Sequence, residues 1–453
     1  MSKAHILAIP YPAQGHVIPL MELSHELVKH GIKITFVNTD FTHHQIMKVM
    51  GEKDMGNEIQ LVSIPDGLED GENRNDLGKL TEAIYKVMPE KLEMLIEEIN
   101  KSNRNKITCV VADENFGWAL EVAKKMGIRR AAFWPASASL LVLSFNIQKL
   151  LDDGIINSDG TPTKDQTIQL APMMPYMRTT EFVWTTCLGG LTTQKIIFDC
   201  MSRNSKAVEI ADWIICNSTH DHEPAAFALA PEILPIGPLI ASKNETYLGG
   251  NFWPEDSTCL NWLDQQPTYS VIYVAFGSFT VFDYNQFQEL ALGLELSNRP
   301  FLWVVRSDIN NGKNHAFLKE FEDKVYPRGK VVQWAPQQKV LSHPSVACFL
   351  SHCGWNSTME GTTSGVPFLC WPYFADQFVN ETYICDIWKV GLTLDRNAGI
   401  ITHQEITCKI KKLLHDEKVK ARALELKELA MNSVKEGGSS HKNLNNFIDW
   451  IKA

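Results

Sequence analysis

Two successive series of alternating strand and helix patterns limit the folds open to this chain more than any other feature. The first series opens with an apolar strand over residues 4–10, followed by a loop and an amphipathic helix that ends at Gly31, and we expect Pro19 in the first turn of this helix. A second strand follows over residues 32–38, and a third over residues 107–113 leads into another amphipathic helix. Short strands rich in Val and Ile that alternate with helices are typical of a parallel sheet with helices on both faces.

A turn-rich stretch interrupts the pattern before it resumes. Around residues 231–260 prolines and glycines break any regular period, and we predict a linker over residues 241–255. The second series contains five predicted strands, over residues 270–277, 300–305, 330–336, 347–352 and 367–372. The 453 residues exceed one ordinary domain. The sequence therefore predicts an α/β protein of two facing, doubly wound, Rossmann-like domains. We expect these domains over residues 1–240 and 256–438, with a final helix over residues 439–453 as a candidate for packing back on the first domain.

The amino-acid composition indicates which partners and which cellular compartment to expect. Lys and Arg total 43 against 53 Asp and Glu, a formal net charge of −10, and no dense basic run could follow a phosphate backbone. We therefore expect no nucleic-acid partner. The ten cysteines are scattered without a C-x-x-C pair, which favours free thiols in a reducing compartment. No apolar run approaches the ~20 residues that span a bilayer. We expect a cytoplasmic monomer.

One segment places polar side chains where a nucleotide can bind. A strand delivers His352 to a tight turn, after which Asn356 and Ser357 lie at the start of a helix. The free backbone N–H groups and the positive end of the helix dipole form an anion site there, and a diphosphate is its natural occupant. Glu360 lies one turn further along the same helical face, where its carboxylate can accept hydrogen bonds from two ribose hydroxyls.

Two flanking elements extend this site. Trp334, close to the polar Gln337, offers a flat face on which a pyrimidine can stack. Further along, a strand ends in a loop carrying Asp376 and Gln377, whose acceptor and donor groups suit sugar hydroxyls. Residues 334–377, with their HCGWNS and ADQ elements, closely resemble the nucleotide-binding box of plant UDP-glycosyltransferases. The resemblance continues in PAQGHVIP, VVAD, PIGPL, WLDQQP and VAFGSFT, so it covers nearly the whole chain.

The resemblance implies a family 1 small-molecule glycosyltransferase of GT-B fold, with an acceptor-binding first domain and a second domain that binds the UDP-sugar. It implies that uracil stacks on Trp334, that Glu360 holds the ribose and that Gln377 favours UDP-glucose. The implied donor contacts are Gly277, Ser278, Thr280, Trp334, Ala335, Gln337, His352, Gly354, Trp355, Asn356, Ser357, Glu360, Asp376 and Gln377.

A histidine and an aspartate form the candidate catalytic pair. Attack of a hydroxyl on the anomeric carbon requires removal of its proton, and an imidazole has a suitable pKa near neutrality. His16 follows the first strand at the start of a helix, where the dipole disfavours imidazolium. Asp113 ends a neighbouring strand at the same sheet edge and can accept the other ring N–H. The pair matches the catalytic dyad of the family.

Acceptor recognition is expected from loops that carry aromatic side chains, which can line an apolar pocket. The candidates are Tyr11, Gly15, Phe116, Trp134, Ser137, Trp184, Tyr373 and Phe374. The resulting prediction is inverting transfer of glucose to a hydroxyl of a lipophilic acceptor in plant secondary metabolism. The acceptor would be phenolic, such as a flavonoid, or terpenoid-like. No D-x-D pair follows a strand, and we predict that the reaction needs no metal or other cofactor.

The sequence alone is also compatible with other functional hypotheses. Transfer to carbon, nitrogen or a carboxylate would keep the fold and the donor, and a UDP-sugar-binding protein without turnover would keep the same box. A phosphorylase-like enzyme would need a pyridoxal lysine, which no sequence feature marks. The absence of G-x-G-x-x-G after the first strand argues against a nicotinamide dehydrogenase.

Overall fold

The chain divides into two compact units. The computed structural model describes residues 4–51, 58–102, 105–187, 189–240, 250–307, 312–396 and 399–453, without the side chains of 312–315. The first unit comprises Met1–Trp253, Phe374–Asp376 and Asn432–Ala453, and the second comprises Pro254–Tyr373 and Gln377–Met431. Most of the predicted linker, residues 241–249, lies outside the described residues.

The described part of the first unit is built on a seven-stranded parallel sheet. The strands of this unit are β1 (His5–Ile9), β2 (Lys33–Thr39), β3 (Ile59–Ile64), β4 (Cys109–Asp113), β5 (Arg129–Trp134), β6 (Thr167–Ile168), β7 (Met177–Arg178), β8 (Trp213–Cys216) and β9 (Ile233–Pro235). The sheet order is β3-β2-β1-β4-β5-β8-β9, while β6 and β7 form a separate antiparallel pair. Ile9 pairs with Ala112, so the loop after β1 and Asp113 leave the sheet at the same edge.

Helices cover both faces of this sheet. They are α1 (Gln14–Lys29), α2 (Asp40–Met50), α3 (Leu77–Asn100), α4 (Gly117–Lys125), α5 (Ala138–Phe145), α6 (Ile147–Asp152), α7 (Gly190–Ala207) and α8 (Pro224–Leu229), with 3₁₀ turns at Glu114–Phe116, Thr179–Glu181 and Val208–Ile210. The sequence predicted that Pro19 occupies the first turn of α1. That prediction was wrong, because the helix already begins at Gln14 and Pro19 lies inside it.

The core of the first unit follows from strand alternation. Successive side chains of a strand point to opposite faces of the sheet. Accordingly, Ile6 of β1 packs in one hydrophobic cluster with α1, whereas Leu7 packs in the cluster on the other face with α3 and α4. The last helix of the chain, Ser439–Lys452, adds Phe447 and Ile451 to the cluster of Ile6.

The second unit contains a six-stranded parallel sheet. Its strands are β10 (Val271–Ala275), β11 (Phe301–Val304), β12 (Gly329–Val332), β13 (Val346–Ser351), β14 (Phe368–Cys370) and β15 (Gly391–Thr393), in the order β12-β11-β10-β13-β14-β15. Its helices are α9 (Thr258–Leu263), α10 (Tyr284–Leu296), α11 (Gly312–Val325), α12 (Gln337–Leu341), α13 (Trp355–Ser364), α14 (Gln377–Thr382), α15 (His403–Leu414) and α16 (Glu417–Val434, assigned to this unit up to Met431), with a π-helical turn at Tyr383–Ile387. The predicted strands of both series and the α/β class are confirmed. Among the described residues, no helix is long and apolar enough to cross a membrane.

Candidate active site

The loop after β1 and the end of β4 bring His16 and Asp113 into contact. His16 lies in the first turn of α1, where its backbone N–H donates to Ala13. Its Nδ1 is 2.7 Å from Oδ2 of Asp113. The Asp113 side chain is fully buried, whereas a quarter of the His16 side chain is exposed. The other Asp113 oxygen accepts hydrogen bonds from the backbone and side-chain N–H groups of Asn115, at 3.0 and 3.1 Å.

The electrostatics of His16 reflect two opposing effects. Burial alone lowers the pKa of the imidazole, because it penalises the charged form. The charge and hydrogen bond of Asp113 outweigh burial, and the charge of Asp376 adds to them, so the pKa of His16 lies above its ordinary value. The pair therefore stabilises an imidazolium once His16 accepts a proton, which is the property that a general base of this type requires.

In the second unit, the turn after β13 starts a helix in the way the sequence predicted. Cys353 adopts a left-handed backbone with φ of 65°, and Gly354 is the N-cap of α13. Trp355, Asn356 and Ser357 are thus the first three helical residues, whose N–H groups lie at the positive end of the helix dipole. The arrangement can hold an anion.

Glu360 is tied to this helix start by an amide side chain. The Nε2 group of Gln337 donates to Oγ of Ser357 at 2.8 Å and to Oε2 of Glu360 at 2.6 Å. The Tyr273 hydroxyl donates to Oε1 of Gln337 at 3.0 Å, which fixes the orientation of the amide. Burial raises the pKa of Glu360 to about 7, although the hydrogen bonds from Gln337 and Gln338 oppose the shift. Trp334 and Ala335 immediately precede α12; the indole of Trp334 is half-buried and Ala335 is buried.

A second loop packs against the imidazole of His352. A Cβ atom on either Gly277 or Gly354 would lie 2.5 Å from Nε2 of His352, so the ring sits directly against both glycines. Arg306 donates to the carbonyl oxygens of Gly277 and Thr280 at 2.9 and 3.1 Å, and holds the loop that includes Ser278. Burial, with a smaller contribution from the charge of Arg306, lowers the pKa of His352 to about 4, so the ring is neutral at pH 7. Among the described residues, no group of three His, Cys, Asp or Glu side chains is arranged to hold a metal ion.

The sequence relationships agree with this geometry. The family described as UDP-glucoronosyl and UDP-glucosyl transferase matches residues 4–433. UDP-glycosyltransferase 83A1 of Arabidopsis thaliana is 50% identical over 466 residues, covering 100% of this chain and 98% of that protein. The chain belongs to the plant UDP-glycosyltransferase family.

Solved structures give the same result for the fold of this UDP-glycosyltransferase. The crystal structure of Os79 from O. sativa in complex with UDP has a TM-score of 0.82 and 27% identity, covering 98% of this chain and 100% of that one. A UDP-glucosyltransferase from Polygonum tinctorium capable of glucosylating indoxyl has a TM-score of 0.83 and 26% identity, covering 100% and 99% of the two chains. The GT-B fold predicted from the sequence is confirmed, and the chain is a small-molecule UDP-glycosyltransferase that uses a UDP-sugar.

Two of the predicted acceptor residues of this UDP-glycosyltransferase lie next to the dyad. The ring centroid of Tyr11 is 5.3 Å from that of His16 and 5.6 Å from that of Phe116. Gly15, the neighbour of His16, is exposed. Tyr11 is therefore in ring contact with the imidazole, whereas Phe116 is only 1% exposed and packs against Tyr11 in the core of the first unit.

Three other predicted acceptor residues make hydrogen bonds within the first unit. Trp184 is fully buried, and its Nε1 donates to the carbonyl oxygen of Gly160 at 2.8 Å. The indole of Trp134 donates to the carbonyl oxygen of Ser137, whose hydroxyl in turn donates to the buried carboxylate of Glu223 at 2.5 Å. Glu223 also accepts hydrogen bonds from the first N–H groups of α5, so this cluster caps that helix.

The predicted sugar-binding loop is divided between the two units. Phe374 and Asp376 belong to the first unit, in which the intervening Ala375 N–H donates to Oγ1 of Thr186 at 2.9 Å. Tyr373 and Gln377 belong to the second unit, where the buried Gln377 accepts a hydrogen bond at 2.7 Å from the Tyr373 backbone. This contact fixes the Gln377 amide.

Sequence reasoning missed two residues that shape the site. Arg306 follows β11, and Glu114 follows Asp113 directly after β4. In both cases the available signal was a charged residue just beyond the carboxyl end of a parallel strand, where α/β proteins bind their ligands.

Proposed function

We propose that this UDP-glycosyltransferase transfers glucose from UDP-glucose to a hydroxyl of a small lipophilic acceptor, with inversion at the anomeric carbon. In this proposal His16 is the general base and Asp113 orients it. The observation that carries the proposal is the 2.7 Å contact between Nδ1 of His16 and the buried carboxylate of Asp113.

The position of the proton shared by His16 and Asp113 supports the proposed role of His16. An ionised carboxylate can only accept a hydrogen bond, so the shared proton resides on Nδ1 of His16. The Nε2 atom then carries a lone pair and can take the proton of the acceptor hydroxyl while its oxygen attacks the anomeric carbon. Asp113 stabilises the imidazolium that forms. Attack from the face opposite the departing UDP converts the α-linked donor into a β-glucoside.

The second unit supplies the proposed donor contacts. The N-terminus of α13 and the loop that starts at Gly277 would bind the diphosphate and stabilise the charge that UDP gains as it leaves. A neutral His352 can contribute a hydrogen bond rather than a positive charge, because its pKa is about 4 in the free protein. Glu360 would accept the ribose hydroxyls, and uracil would stack on Trp334.

The proposed acceptor is phenolic or terpenoid-like. The partly exposed ring of Tyr11, which contacts His16 and is backed by the buried Phe116, supports a lipophilic aglycone, because apolar contacts and few polar groups are typical of small-molecule sites. The choice of glucose rests on Gln377, through its match to the family pattern.

The test is incubation of the enzyme with UDP-glucose, a panel of phenols and terpenoid alcohols, and EDTA. We expect glucosides whose anomeric proton shows β geometry in the NMR spectrum of the product. A product with retained α geometry, or one with glucose on carbon, would contradict the proposal. Loss of turnover in EDTA that Mg²⁺ restores would contradict the predicted metal independence.

A further inference from the structure

A buried carboxyl group beside the dyad has no part in the proposed transfer. Glu114 follows Asp113 and opens the 3₁₀ turn that ends with Phe116, whose ring packs against Tyr11. Only 3% of Glu114 is exposed. Its Oε1 atom is buried and has no hydrogen-bond partner among the described residues. Leaving a buried polar atom unpaired costs about 1–3 kcal/mol, so such a group calls for an explanation.

The polar groups around Glu114 are already bonded to one another. The Tyr85 hydroxyl of α3 donates to Oδ1 of Asn204 at 2.5 Å, and the same oxygen accepts the Gly117 N–H at 3.2 Å. The Nδ2 group of Asn204 lies 3.5 Å from the sulfur of Cys200 on α7. Glu114 is close enough to Tyr85 and Cys200 for its charge to raise the pKa of both side chains. These three donors are thus committed to a network that does not include the Oε1 atom of Glu114.

The protonation state of Glu114 makes it a donor. Burial, together with the negative charge of Asp113, raises the pKa of Glu114 to about 8. At neutral pH the side chain is therefore mostly a neutral carboxylic acid, which carries one O–H group. A neutral acid in an apolar site can donate a strong hydrogen bond, provided that an acceptor is brought to it.

We propose that Glu114 is a specificity-determining residue that donates a hydrogen bond to a carbonyl oxygen of the acceptor substrate, in addition to the hydroxyl that is glucosylated. This inference rests on the proposed function and names the substrate class more closely: hydroxylated aglycones that also carry a ketone, aldehyde or lactone carbonyl. Within one segment of the chain, Asp113 would then orient the base and Glu114 would bind the carbonyl oxygen of the acceptor.

The electrostatics favour a neutral carbonyl over a charged group. A carboxylate on the acceptor would bring a second negative charge next to Asp113, which like-charge repulsion disfavours. An ammonium group has no lone pair to accept the Glu114 O–H, so it would bind only after Glu114 lost its proton, which requires a second ionised carboxyl in a buried place. A carbonyl oxygen accepts the O–H without changing the charge of the site.

The experiment compares matched para-substituted phenols. One series carries a ketone one, two or three methylene groups from the ring, and in the other series that carbonyl is replaced by a methylene group. The ratio of kcat/KM within each pair is measured with UDP-glucose for the wild type, Glu114→Gln, Glu114→Met and a control, Glu121→Met, on the exposed face of α4. Because each ratio comes from one enzyme preparation, partial unfolding of a variant cancels.

The wild type and the control are expected to prefer at least one ketone by about tenfold, the effect of one buried hydrogen bond. Glu114→Met should reduce that ratio to about one, and Glu114→Gln, which retains an N–H donor, should keep a preference of several-fold. Equal ratios for all pairs in the wild type, or an unchanged preference in Glu114→Met, would overturn the inference.

The pH dependence of the ratio supplies a readout that a structural role of Glu114 would not move. Among the described residues, the titratable groups whose charges interact with Glu114 are Asp113, Tyr85 and Cys200, and Arg203 of α7 lies over the Tyr85 ring at 4.7 Å from its centroid. Burial raises the pKa of Tyr85 above its ordinary range and that of Cys200 to about 11, so neither titrates near pH 8. The ketone preference of the wild type should fall as pH rises through about 8, and that of Glu114→Gln should stay flat.

Failure of this inference is distinguishable from failure of the proposed function. If glucosides form without any ketone preference, only the role of Glu114 falls. If neither these phenols nor the terpenoid alcohols of the panel that tests the proposed function are glucosylated, the proposed acceptor class itself is wrong.

Discussion

Substitution of Asp113 with asparagine tests the dyad through the direction of one amide group. The backbone and side-chain N–H groups of Asn115 donate to Oδ1 of Asp113, so they require a carbonyl oxygen at that position. The NH₂ group of the substituted amide must then face Nδ1 of His16, in place of the Oδ2 atom that lies 2.7 Å away. It donates to Nδ1 and forces the imidazole proton onto Nε2, where the proposed base needs its lone pair.

The expected loss in kcat is about 10²–10⁴-fold, the range for removal of a positioned general base or of the tautomer that allows it to act. This corresponds to about 3–5 kcal/mol in the activation barrier. The pKa of His16 should also fall, because the charge that raises it is gone. In the wild type, kcat/KM should decrease as pH falls through that raised pKa, because the protonated ring cannot act as a base.

The assay is steady-state turnover with UDP-glucose and a reactive phenol, combined with calorimetric titration of UDP. A matched control is Asp212→Asn, since Asp212 accepts the backbone N–H of Arg130 in the same unit at 2.9 Å but lies outside the dyad. We expect UDP affinity to be unchanged in both variants. Turnover of Asp113→Asn within threefold of the wild type would refute the tautomer argument.

Three further substitutions test other parts of the account. Gly277→Ala should weaken UDP binding at least tenfold by calorimetry, because the added Cβ would lie 2.5 Å from Nε2 of His352. The control is Gly154→Ala, since Gly154 has the same φ of +67° but no described atom within 4 Å of an added Cβ. This control should show only the backbone strain, about 1–2 kcal/mol, and should keep its UDP affinity. Trp184→Ala should lower the free energy of unfolding in urea by about 3–5 kcal/mol, since the indole is fully buried, and an unchanged stability would show that it is not a core residue. Binding of uridine, which does not titrate in this range, should weaken as pH falls through the Glu360 pKa of about 7 and should become independent of pH in Glu360→Gln.

The parts of the structure that could be predicted from the sequence are those fixed by local pattern and strand polarity. The apolar strand patterns and the helical patterns predicted both doubly wound sheets. Parallel strands share one carboxyl edge, which is why His16 and Asp113 meet although 97 positions separate them. Gly365 ends α13 in a left-handed conformation with φ of 74°, which glycine adopts without steric cost.

The parts that could not be predicted depend on tertiary packing. Trp134 and Trp184 lie in segments where an aromatic ring can line a pocket or fill a core, and only the three-dimensional neighbours decide between the two. Trp184 packs on Phe182 and Phe198, at centroid distances of 4.8 and 5.3 Å. The role of Arg306 could not be predicted from the sequence either, because it donates to backbone carbonyls 26 and 29 positions away.

The role of His16 as the general base is tested most directly by the turnover of His16→Ala with saturating UDP-glucose and a phenolic acceptor. His30→Ala, at the C-terminal end of the same helix, is the control, and UDP binding is measured for both variants. The account predicts a loss in kcat of about 10²–10⁴-fold for His16→Ala alone, with UDP affinity retained. A His16→Ala enzyme that forms β-glucoside at the rate of the wild type would contradict it.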